Sequence, residues 1–391
     1  MSIVKNVIKD DNLREHVNVS LGRGWSNEPI SSKDIGELTE LSIEHGSLAS
    51  IKGLEYAINL RTLNLGNNDI EDISPIKNLI KLKHLNLSYN NVKDISSMEN
   101  LKKLEYLDLD GNDIKDISAL ESLVNLKNLN LSNNSIKDIS CIANLVNIEK
   151  LSFSNNKIVD TSYIENLTNL RKLNLSGNNI ENISFIKKLK TLTSVILMDN
   201  EVKDIKPLED LINLKGINLR NNKVIDISPI KELRELEFLN FDNNSVEDMS
   251  PLKDLKNLKT LYFSKNNISD ISVLKNLKFI EFLSLDDNYI EDVLYLRGLH
   301  ELITLELGGN RIKDISMLNN LKCIKRSFIS KQRVCIKNFG EVEIKDLHDN
   351  TLKLKPIKDN ALKDMINDEM PLATFKSSNV TFSGEVVLSL K

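Results

Sequence analysis

The feature that most constrains this chain is a 22-residue pattern that recurs without insertion along most of its 391 residues. Its clearest copy is LRTLNLGNNDIEDISPIKNLIK, residues 60–81. Thirteen copies cover residues 38–323 and begin at Leu38, Leu60, Leu82, Leu104, Leu126, Ile148, Leu170, Leu192, Leu214, Leu236, Leu258, Ile280 and Leu302. So many copies in phase predict stacked coils that share one elongated core, because each copy is too short to bury its apolar side chains alone.

Each copy carries the alternation Leu-x-Leu, for example Leu63 and Leu65. Residues two apart on a strand point to the same side, so the pattern predicts a short strand in each copy and a parallel sheet across the copies. An asparagine such as Asn68 follows, and only the first copy lacks it, with Gly46. A buried side-chain amide both donates and accepts, so we expect this asparagine to satisfy backbone groups where the strand turns away.

The second half of each copy reads I-x-D-I-S, and it is often followed by proline, as in Asp72, Ser74 and Pro75. Serine before proline predicts a helix cap followed by the first helical residue. Apolar residues at every third position favour a short 3₁₀ turn. A row of aspartates is also compatible with calcium, but the glycine-rich nonapeptide of calcium-binding β-helices is absent. We therefore predict that these aspartates cap the local backbone and hold no metal.

The recurring L-x-x-L-x-L-x-x-N resembles the signature of leucine-rich repeats. Three early stretches resemble the N-terminal cap and first repeats of the internalins: DDNLREHVNVSLGRG, ISSKDIGELTELSI and IKGLEYAINLRTLNLGNN. Internalins are bacterial leucine-rich-repeat proteins, and many of them are surface or secreted virulence factors. The closing stretch NVTFSGEVVLSL resembles the last strands of the small immunoglobulin-like domain that follows the repeats in that family.

The resemblance implies an α/β solenoid, a horseshoe with a parallel sheet on its concave face and 3₁₀ or irregular turns on its convex face. It divides the chain into a helical cap (1–37), the repeats (38–323) and a small all-β immunoglobulin-like C-terminal cap (324–391). Within the N-terminal cap, Leu13, Val17 and Leu21 recur at helical spacing. Short strands are predicted in the C-terminal cap at 333–337, 342–345, 351–354 and 380–390.

Composition excludes several functional classes. The net charge of −4, with basic and acidic residues intermixed, argues against nucleic acid or an anionic membrane as the main partner. The three cysteines form no C-x-x-C pair, the five histidines are scattered, and neither a phosphate-binding loop nor a G-x-S-x-G motif is present. We predict no catalytic residue, no metal and no cofactor, and therefore no enzyme.

The chain contains no apolar run long enough to span a membrane. Near its start, Lys5, Lys9, Asp10 and Asp11 interrupt any apolar stretch of signal-peptide length. These features, with the lack of a cell-wall sorting motif, predict a cytoplasmic monomer for the chain as given. Export by a non-classical route stays open.

Function is expected on the sheet surface, where the third, fifth, seventh and eighth residues of each copy point outward. Most of these residues are small and polar, which makes the exceptions conspicuous. The main group of exceptions is Ile196, Met198, Arg220, Phe238, Asp242, Tyr262, Lys265, Phe282 and Asp286. A second group is His84, Tyr89, Tyr106, Asp108 and Asp110. Aromatic and arginine side chains with polar edges are typical of interface centres, so both groups are candidate partner-binding sites. The alternative is that these large side chains merely pack on one another over the sheet.

Two functional hypotheses follow. The favoured one is a non-enzymatic scaffold that binds a protein partner on its concave face, with the adhesion or host-interaction role that the internalin resemblance implies. The alternative is an intracellular regulatory subunit that modulates an enzyme such as a phosphatase, because the repeat also resembles that of phosphatase-regulatory subunits. The internalin-like cap and tail favour the first, and the missing export signal favours the second.

Overall fold

The computed structural model describes residues 5–314 and, further along the chain, the backbone of six short strands. Two units make up the chain, residues 1–200 (the first unit) and 201–391 (the second unit). Each unit is a stack of coils in which a short strand and a 3₁₀ turn alternate. Within the described residues, no helix is both long and apolar enough to cross a membrane.

The strands of the first unit form a parallel ladder in chain order. They are β1 (Glu40–Ser42), β2 (Thr62–Asn64), β3 (His84–Asn86), β4 (Tyr106–Asp108), β5 (Asn128–Asn130), β6 (Lys150–Ser152), β7 (Lys172–Asn174) and β8 (Ser194–Ile196). Each residue lies opposite the residue 22 positions later, as Leu63 does opposite Leu85. The sequence period therefore sets the register of the sheet directly.

The second unit continues the same arrangement in its own ladder. Its strands are β9 (Gly216–Asn218), β10 (Phe238–Asn240), β11 (Thr260–Tyr262), β12 (Phe282–Ser284), β13 (Thr304–Glu306) and β14 (Arg326–Phe328). β14 pairs with β13 at the same offset, although Ser327 stands where the pattern has leucine. The parallel pairing therefore persists for one strand beyond the last leucine-led copy.

The core follows the predicted alternation. The middle residue of each strand points inward, and so does the residue just after the strand, as Leu63 and Leu65 show. Phenylalanine replaces that second leucine at Phe153, Phe241 and Phe263, and the last two rings stack with centroids 5.3 Å apart. The first and last residues of each strand face outward, and we call that side of each ladder the sheet face.

The return legs are 3₁₀ turns, as predicted. In the first unit they span Leu54–Tyr56, Ser74–Ile76, Ser96–Met98, Ser118–Leu120, Ser140–Asn144, Ser162–Asn166 and Ser184–Lys188. In the second unit they span Lys206–Leu208, Ser228–Ile230, Ser250–Asp254, Ser272–Asn276 and Leu294–Gly298.

The cap of these turns is the aspartate, not the serine. The Ser74 amide donates to Asp72 Oδ1 at 2.8 Å, and Ser74 is itself the first residue of the turn. The role predicted for serine was therefore wrong, whereas the predicted capping by aspartate is confirmed. Asn182 accepts from the Ser184 amide at 2.8 Å in the same way, so an uncharged side-chain oxygen also caps the turn.

The asparagine column satisfies the backbone as predicted. Asn68 Nδ2 donates to the carbonyls of Ile43 and Leu65 at 2.8 and 3.0 Å, and its Oδ1 accepts from the Leu48 amide at 3.0 Å. Each such residue therefore bonds its own coil to the preceding one. The sequence analysis missed a second asparagine column, just before the leading leucine, where Asn125 Nδ2 donates to the Lys102 carbonyl at 2.8 Å.

The N-terminal cap contains two helices, α1 (Asp11–Ser20) and α2 (Ser32–Gly36). The Leu13 amide donates to Asp10 at the start of α1, and Leu13 and Val17 are buried as the helical spacing predicted. A capping box of Ser31 and Asp34 starts α2.

In the C-terminal part, the strands are β15 (Gln332–Cys335), β16 (Val342–Lys345), β17 (Thr351–Leu354), β18 (Pro371–Lys376) and β19 (Ser383–Ser389). β19 pairs with β15 in parallel and with β18 antiparallel, and β16 and β17 form an antiparallel pair. The strands predicted at 342–345 and 351–354 are confirmed, those predicted at 333–337 and 380–390 overlap β15 and β19 with different ends, and β18 was not predicted. The predicted immunoglobulin-like packing of this cap rests on residues outside the described ones.

Candidate functional site

The sheet face of the second unit consists of three columns of outward residues, one residue of each column per coil. The first column is Gly216, Phe238, Thr260, Phe282 and Thr304; the second is Asn218, Asn240, Tyr262, Ser284 and Glu306; the third is Arg220, Asp242, Ser264, Asp286 and Gly308. From the coil of Phe238 onward, larger and smaller side chains alternate from coil to coil in each column. The face is therefore a pattern of rings and carboxylates separated by shallow depressions over small residues.

Three rings from successive coils form what we call the aromatic strip: Phe238, Tyr262 and Phe282. The Phe238 and Tyr262 ring centroids are 6.0 Å apart, and those of Tyr262 and Phe282 are 6.4 Å apart. Such tilted contacts at 4.5–7 Å stabilise aromatic pairs and hold the rings in place. Phe238 and Tyr262 are half-buried, and Phe282 is 38% exposed. The sequence-based expectation that these three side chains come together agrees with the geometry.

Two aspartates lie along the third column, and each uses one carboxylate oxygen internally. Asp242 Oδ1 accepts from the Ser264 amide at 2.7 Å, and Asp286 Oδ1 accepts from the Gly308 amide at 2.5 Å. Their second oxygens have no hydrogen-bond donor among the described residues, and neither aspartate forms an ion pair there. Both side chains are half-buried.

Partial burial of these carboxyls disfavours their charged forms. Desolvation, together with the negative charge of Glu306, raises the pKa of Asp286 to about 6, against the opposing hydrogen bond from Gly308. Desolvation also raises the pKa of Asp242, although Arg220 and Lys265 act in the opposite direction. Within the described residues, no group of histidine, cysteine or acidic side chains is arranged to hold a metal ion.

Lys265 has an unusual backbone. The eighth residue of most copies adopts a positive φ, and asparagine, aspartate or glycine usually occupies this position, because bulkier residues disfavour it. His45, Tyr89 and Lys265 adopt it as well, with φ of 55°, 52° and 56°. Tyr89 and Lys265 belong to the predicted groups, and bulky residues in such a conformation concentrate at functional sites. The sequence analysis did not use this signal.

The predicted main group is divided between the two units. Ile196 and Met198 are half-buried on the sheet face of the first unit. The other seven predicted residues lie in the second unit, where the aromatic strip, Asp242 and Asp286 share the sheet face with Arg220 and Lys265.

The second group is drawn together in the first unit. The His84 and Tyr106 rings are 6.2 Å apart, and the Tyr106 hydroxyl donates to Asp108 Oδ2 at 3.2 Å. Burial, reinforced by Asp108, raises the pKa of Tyr106 to about 12. Tyr89 is 53% exposed, and its ring lies over Gly111, whose added Cβ would approach the ring to 2.7 Å.

The carboxylates of the second group have protein partners. Asn130 Nδ2 donates to Asp108 Oδ1 at 3.1 Å, and Asn133 Nδ2 donates to Asp110 Oδ1 at 2.6 Å. In addition, Tyr106 donates to the other oxygen of Asp108. The two groups therefore differ in chemistry: neighbouring side chains donate to Asp108 and Asp110, whereas among the described residues only backbone amides donate to the carboxylates of Asp242 and Asp286.

The sequence analysis missed Glu306, which extends the second column by two coils beyond Tyr262. Its charge raises the pKa of Tyr262 and of Asp286, after the larger effect of desolvation on each. No ion pair or hydrogen bond of the Glu306 side chain occurs among the described residues. The repeat pattern alone points to Glu306, because it is the fifth residue of the copy led by Leu302, a position that faces outward.

Comparison with known proteins supports the architecture. Residues 58–114 match the family model described as Leucine rich repeat. The model described as Leucine Rich repeats (2 copies) matches residues 102–144, 124–166, 146–188, 168–210, 212–254, 234–276 and 256–298. An internalin, InlF, from Listeria monocytogenes is 35% identical; the alignment covers 83% of this chain and 97% of that one, with a TM-score of 0.81. This chain is a leucine-rich-repeat protein of the internalin family.

Other solved structures extend the comparison of this internalin-family protein. Internalin C2 from Listeria monocytogenes is 34% identical over 55% of this chain and 94% of that one, with a TM-score of 0.53. The ectodomain of the Arabidopsis thaliana receptor kinase GASSHO1/SCHENGEN3, in complex with Casparian strip integrity factor 2, shares the fold at 20% identity. That alignment covers 78% of this chain and 46% of that one, with a TM-score of 0.58. No curated protein sequence matches this chain.

Proposed function

We propose that this internalin-family protein is a non-enzymatic recognition scaffold, and that the sheet face of its second unit binds a protein partner around the aromatic strip. The observation that carries the proposal is the contiguity of three partly exposed rings from successive coils. Exposed apolar patches on proteins usually mark interaction sites, and aromatic residues supply most interface hot spots.

The surroundings of the aromatic strip support the same function. Arg220 lies in the third column with the half-buried Asp242 and Asp286, and Lys265 follows the column's Ser264 directly. Arg220 and Lys265 both act to lower the pKa of Asp242. An apolar centre with a charged rim is the usual composition of a protein interface. The leucine-rich-repeat ectodomain of GASSHO1/SCHENGEN3, which shares this fold, is itself seen in complex with a partner. An adhesion or host-directed role is the more specific form of this proposal, and the experiment below identifies the partner.

The test compares wild type with the Phe238→Ala/Tyr262→Ala/Phe282→Ala variant in pull-downs from bacterial and from host lysates. Each captured protein is identified, purified and titrated against both. We expect the Kd of the authentic partner to rise by at least about 30-fold, because truncating even one hot-spot residue costs about 2 kcal/mol or more. The origin of that partner also separates a host-directed ligand from an intracellular regulator.

A matched control is available three residues from the strip. Phe279 is 58% exposed but lies outside the strand, so Phe279→Ala removes the same side chain as Phe282→Ala without altering the sheet face. We expect Phe279→Ala to leave the Kd within about twofold of wild type. The proposal is refuted if the triple variant binds the partner as tightly as wild type does. It is also refuted if Phe279→Ala weakens binding as much as the triple variant does, because the partner would then bind elsewhere.

A further inference from the structure

The depression over Ser284 is lined on four sides by side chains of two chemical types. Ser284 is 4% exposed and forms the floor. Tyr262 and Glu306 lie in the same column on the two flanking strands, and Phe282 and Asp286 lie two residues before and after on the same chain segment. Strand spacing places Tyr262 and Glu306 roughly 10 Å apart at the backbone, which leaves room for one incoming side chain.

The aromatic walls are held in position by packing. Tyr262 and Phe282 contact each other with centroids 6.4 Å apart, and Phe238 supports Tyr262 from the other side. Tyrosine and phenylalanine faces attract cations through the ring quadrupole, most strongly where water is partly excluded. The two rings therefore present a surface suited to a flat cationic group.

Among the residues that the structure describes, the acidic walls have no counter-ion. Several other glutamates are paired with lysines of neighbouring coils: Glu105 contacts Lys83 and Lys127 at 2.7 and 3.2 Å, and Glu237 contacts Lys259 at 3.0 Å. Asp286 and Glu306 have no such lysine or arginine among the described residues, although Asp286 is half-buried. Two neighbouring carboxylates without a cation repel each other, so a cation supplied by a partner is favourable here.

We infer that the depression over Ser284 binds an arginine side chain of a basic partner segment, stacked on Tyr262 and Phe282 and paired with Asp286 and Glu306. This inference rests on the proposed function and specifies the chemistry of the partner. Arginine fits better than lysine, because a planar guanidinium stacks on rings and donates to two carboxylates at once, whereas an ammonium is a compact, strongly hydrated charge.

The raised pKa of Asp286, about 6, agrees with an unpaired carboxylate and gives the binding a pH dependence. The groups that act on Asp286 are Glu306, Asp287 and Asp242, all acidic, and the Gly308 amide. A bound guanidinium favours the ionised carboxylate, so affinity for arginine is highest above pH 6 and falls as Asp286 becomes protonated below it. We expect a decrease of up to about tenfold per pH unit below that midpoint.

The experiment titrates the whole chain with three acetylated, amidated peptides of glycine and serine that carry two arginines, two lysines or two citrullines. Citrulline keeps the shape of arginine and lacks its charge. At pH 7.5 and low salt we expect the arginine peptide to bind at least about tenfold more tightly than the citrulline peptide. The Asp286→Asn/Glu306→Gln variant should lose at least about tenfold in affinity for arginine.

The control variant is Glu235→Gln/Glu301→Gln, which removes two exposed carboxylates of the second unit that lie outside the strands, and it should leave arginine binding unchanged. Circular dichroism checks that both variants are folded. Three outcomes would overturn the inference. The arginine and citrulline peptides bind equally, the arginine peptide does not bind at all, or the control variant loses affinity for the arginine peptide while Asp286→Asn/Glu306→Gln keeps it. A lysine peptide that binds as tightly as the arginine peptide would overturn arginine as the occupant.

A final comparison separates this inference from the proposed function. The partner captured through the aromatic strip is titrated against Asp286→Asn/Glu306→Gln. If that partner still requires the strip but binds this variant as tightly as wild type, the arginine site is wrong and the recognition surface stands. If the partner does not require the strip, both are wrong.

Discussion

Replacing Asn178 by leucine should destabilise the middle of the first unit by an amount that follows from its hydrogen bonds. Asn178 Nδ2 donates to the carbonyls of Phe153, Leu175 and Ser176 at 3.0, 3.0 and 3.1 Å, and its Oδ1 accepts from the Ile158 amide at 2.9 Å. Leucine has a similar size but neither donates nor accepts, so all four bonds are lost.

The substitution leaves only one of the four backbone groups without a hydrogen-bond partner. The three carbonyls keep a second donor: Asn156 Nδ2 for Phe153, Asn200 Nδ2 for Leu175 and the Asn155 amide for Ser176. The Ile158 amide, in contrast, is left buried without a partner, which costs about 1–3 kcal/mol. The donated bonds add about 1 kcal/mol net, so we expect Asn178→Leu to cost about 2–4 kcal/mol.

The control is Asn179→Leu, the same substitution at the next residue, whose side chain is exposed. Its effect should stay within about 0.5 kcal/mol. Urea unfolding followed by circular dichroism gives the midpoint of each variant, and hydrogen exchange at the Ile158 amide reports the local loss of protection. If Asn178→Leu unfolded at the same urea concentration as Asn179→Leu, the asparagine column would not be a stabilising element, and the reasoning would fail.

Three further predictions follow from the described contacts. Four aspartates each accept hydrogen bonds from the serine two residues later, and these bonds hold the carboxyl pKa below its usual range: Asp72, Asp94, Asp116 and Asp160. The stability that these aspartates contribute is therefore present above about pH 4 and is lost as the pH falls through their folded-state pKa values. Replacing all four by asparagine, which already caps at position 182, should flatten the acid side of the urea midpoint curve; an unchanged curve would contradict this role. Gly111 and Gly24 both have a positive φ, +65° and +68°, so alanine at either position costs about 1–2 kcal/mol of backbone strain. At Gly111 the added Cβ would also lie 2.7 Å from the Tyr89 ring, whereas Gly24 has open space around it. Thermal melting should therefore show the larger loss for Gly111→Ala, and equal losses would mean that Tyr89 yields freely. The Asp286 carboxyl should titrate near pH 6 when it is followed by carbon NMR. Glu306→Gln should lower the pKa of Asp286, because it removes a neighbouring negative charge. A wild-type midpoint near pH 4 would instead show that the carboxyl is well solvated.

The sequence by itself determined the parts of this protein that repeat. A strict 22-residue period sets which residues face the core, which asparagines bond neighbouring coils, and which columns face outward, because each of these depends only on position within a copy. The same period places Phe238, Tyr262 and Phe282 on neighbouring strands of the sheet face. Prediction from the sequence failed for the Ser74 cap, since the hydrogen bond runs from the serine amide to Asp72 and the residue types alone do not give that direction.

The tertiary structure decided what period and spacing cannot reveal, namely which polar groups are already satisfied. Asp108 and Asp286 both lie on the sheet face, yet Asn130 and Tyr106 donate to the first, and within residues 5–314 only a backbone amide donates to the second. The degree of burial that raises the pKa of Asp286 likewise depends on side chains one and two coils away. Hydrogen-bond satisfaction and desolvation are properties of three-dimensional neighbours, so only the folded chain separates an internally paired carboxylate from one that is available to a partner.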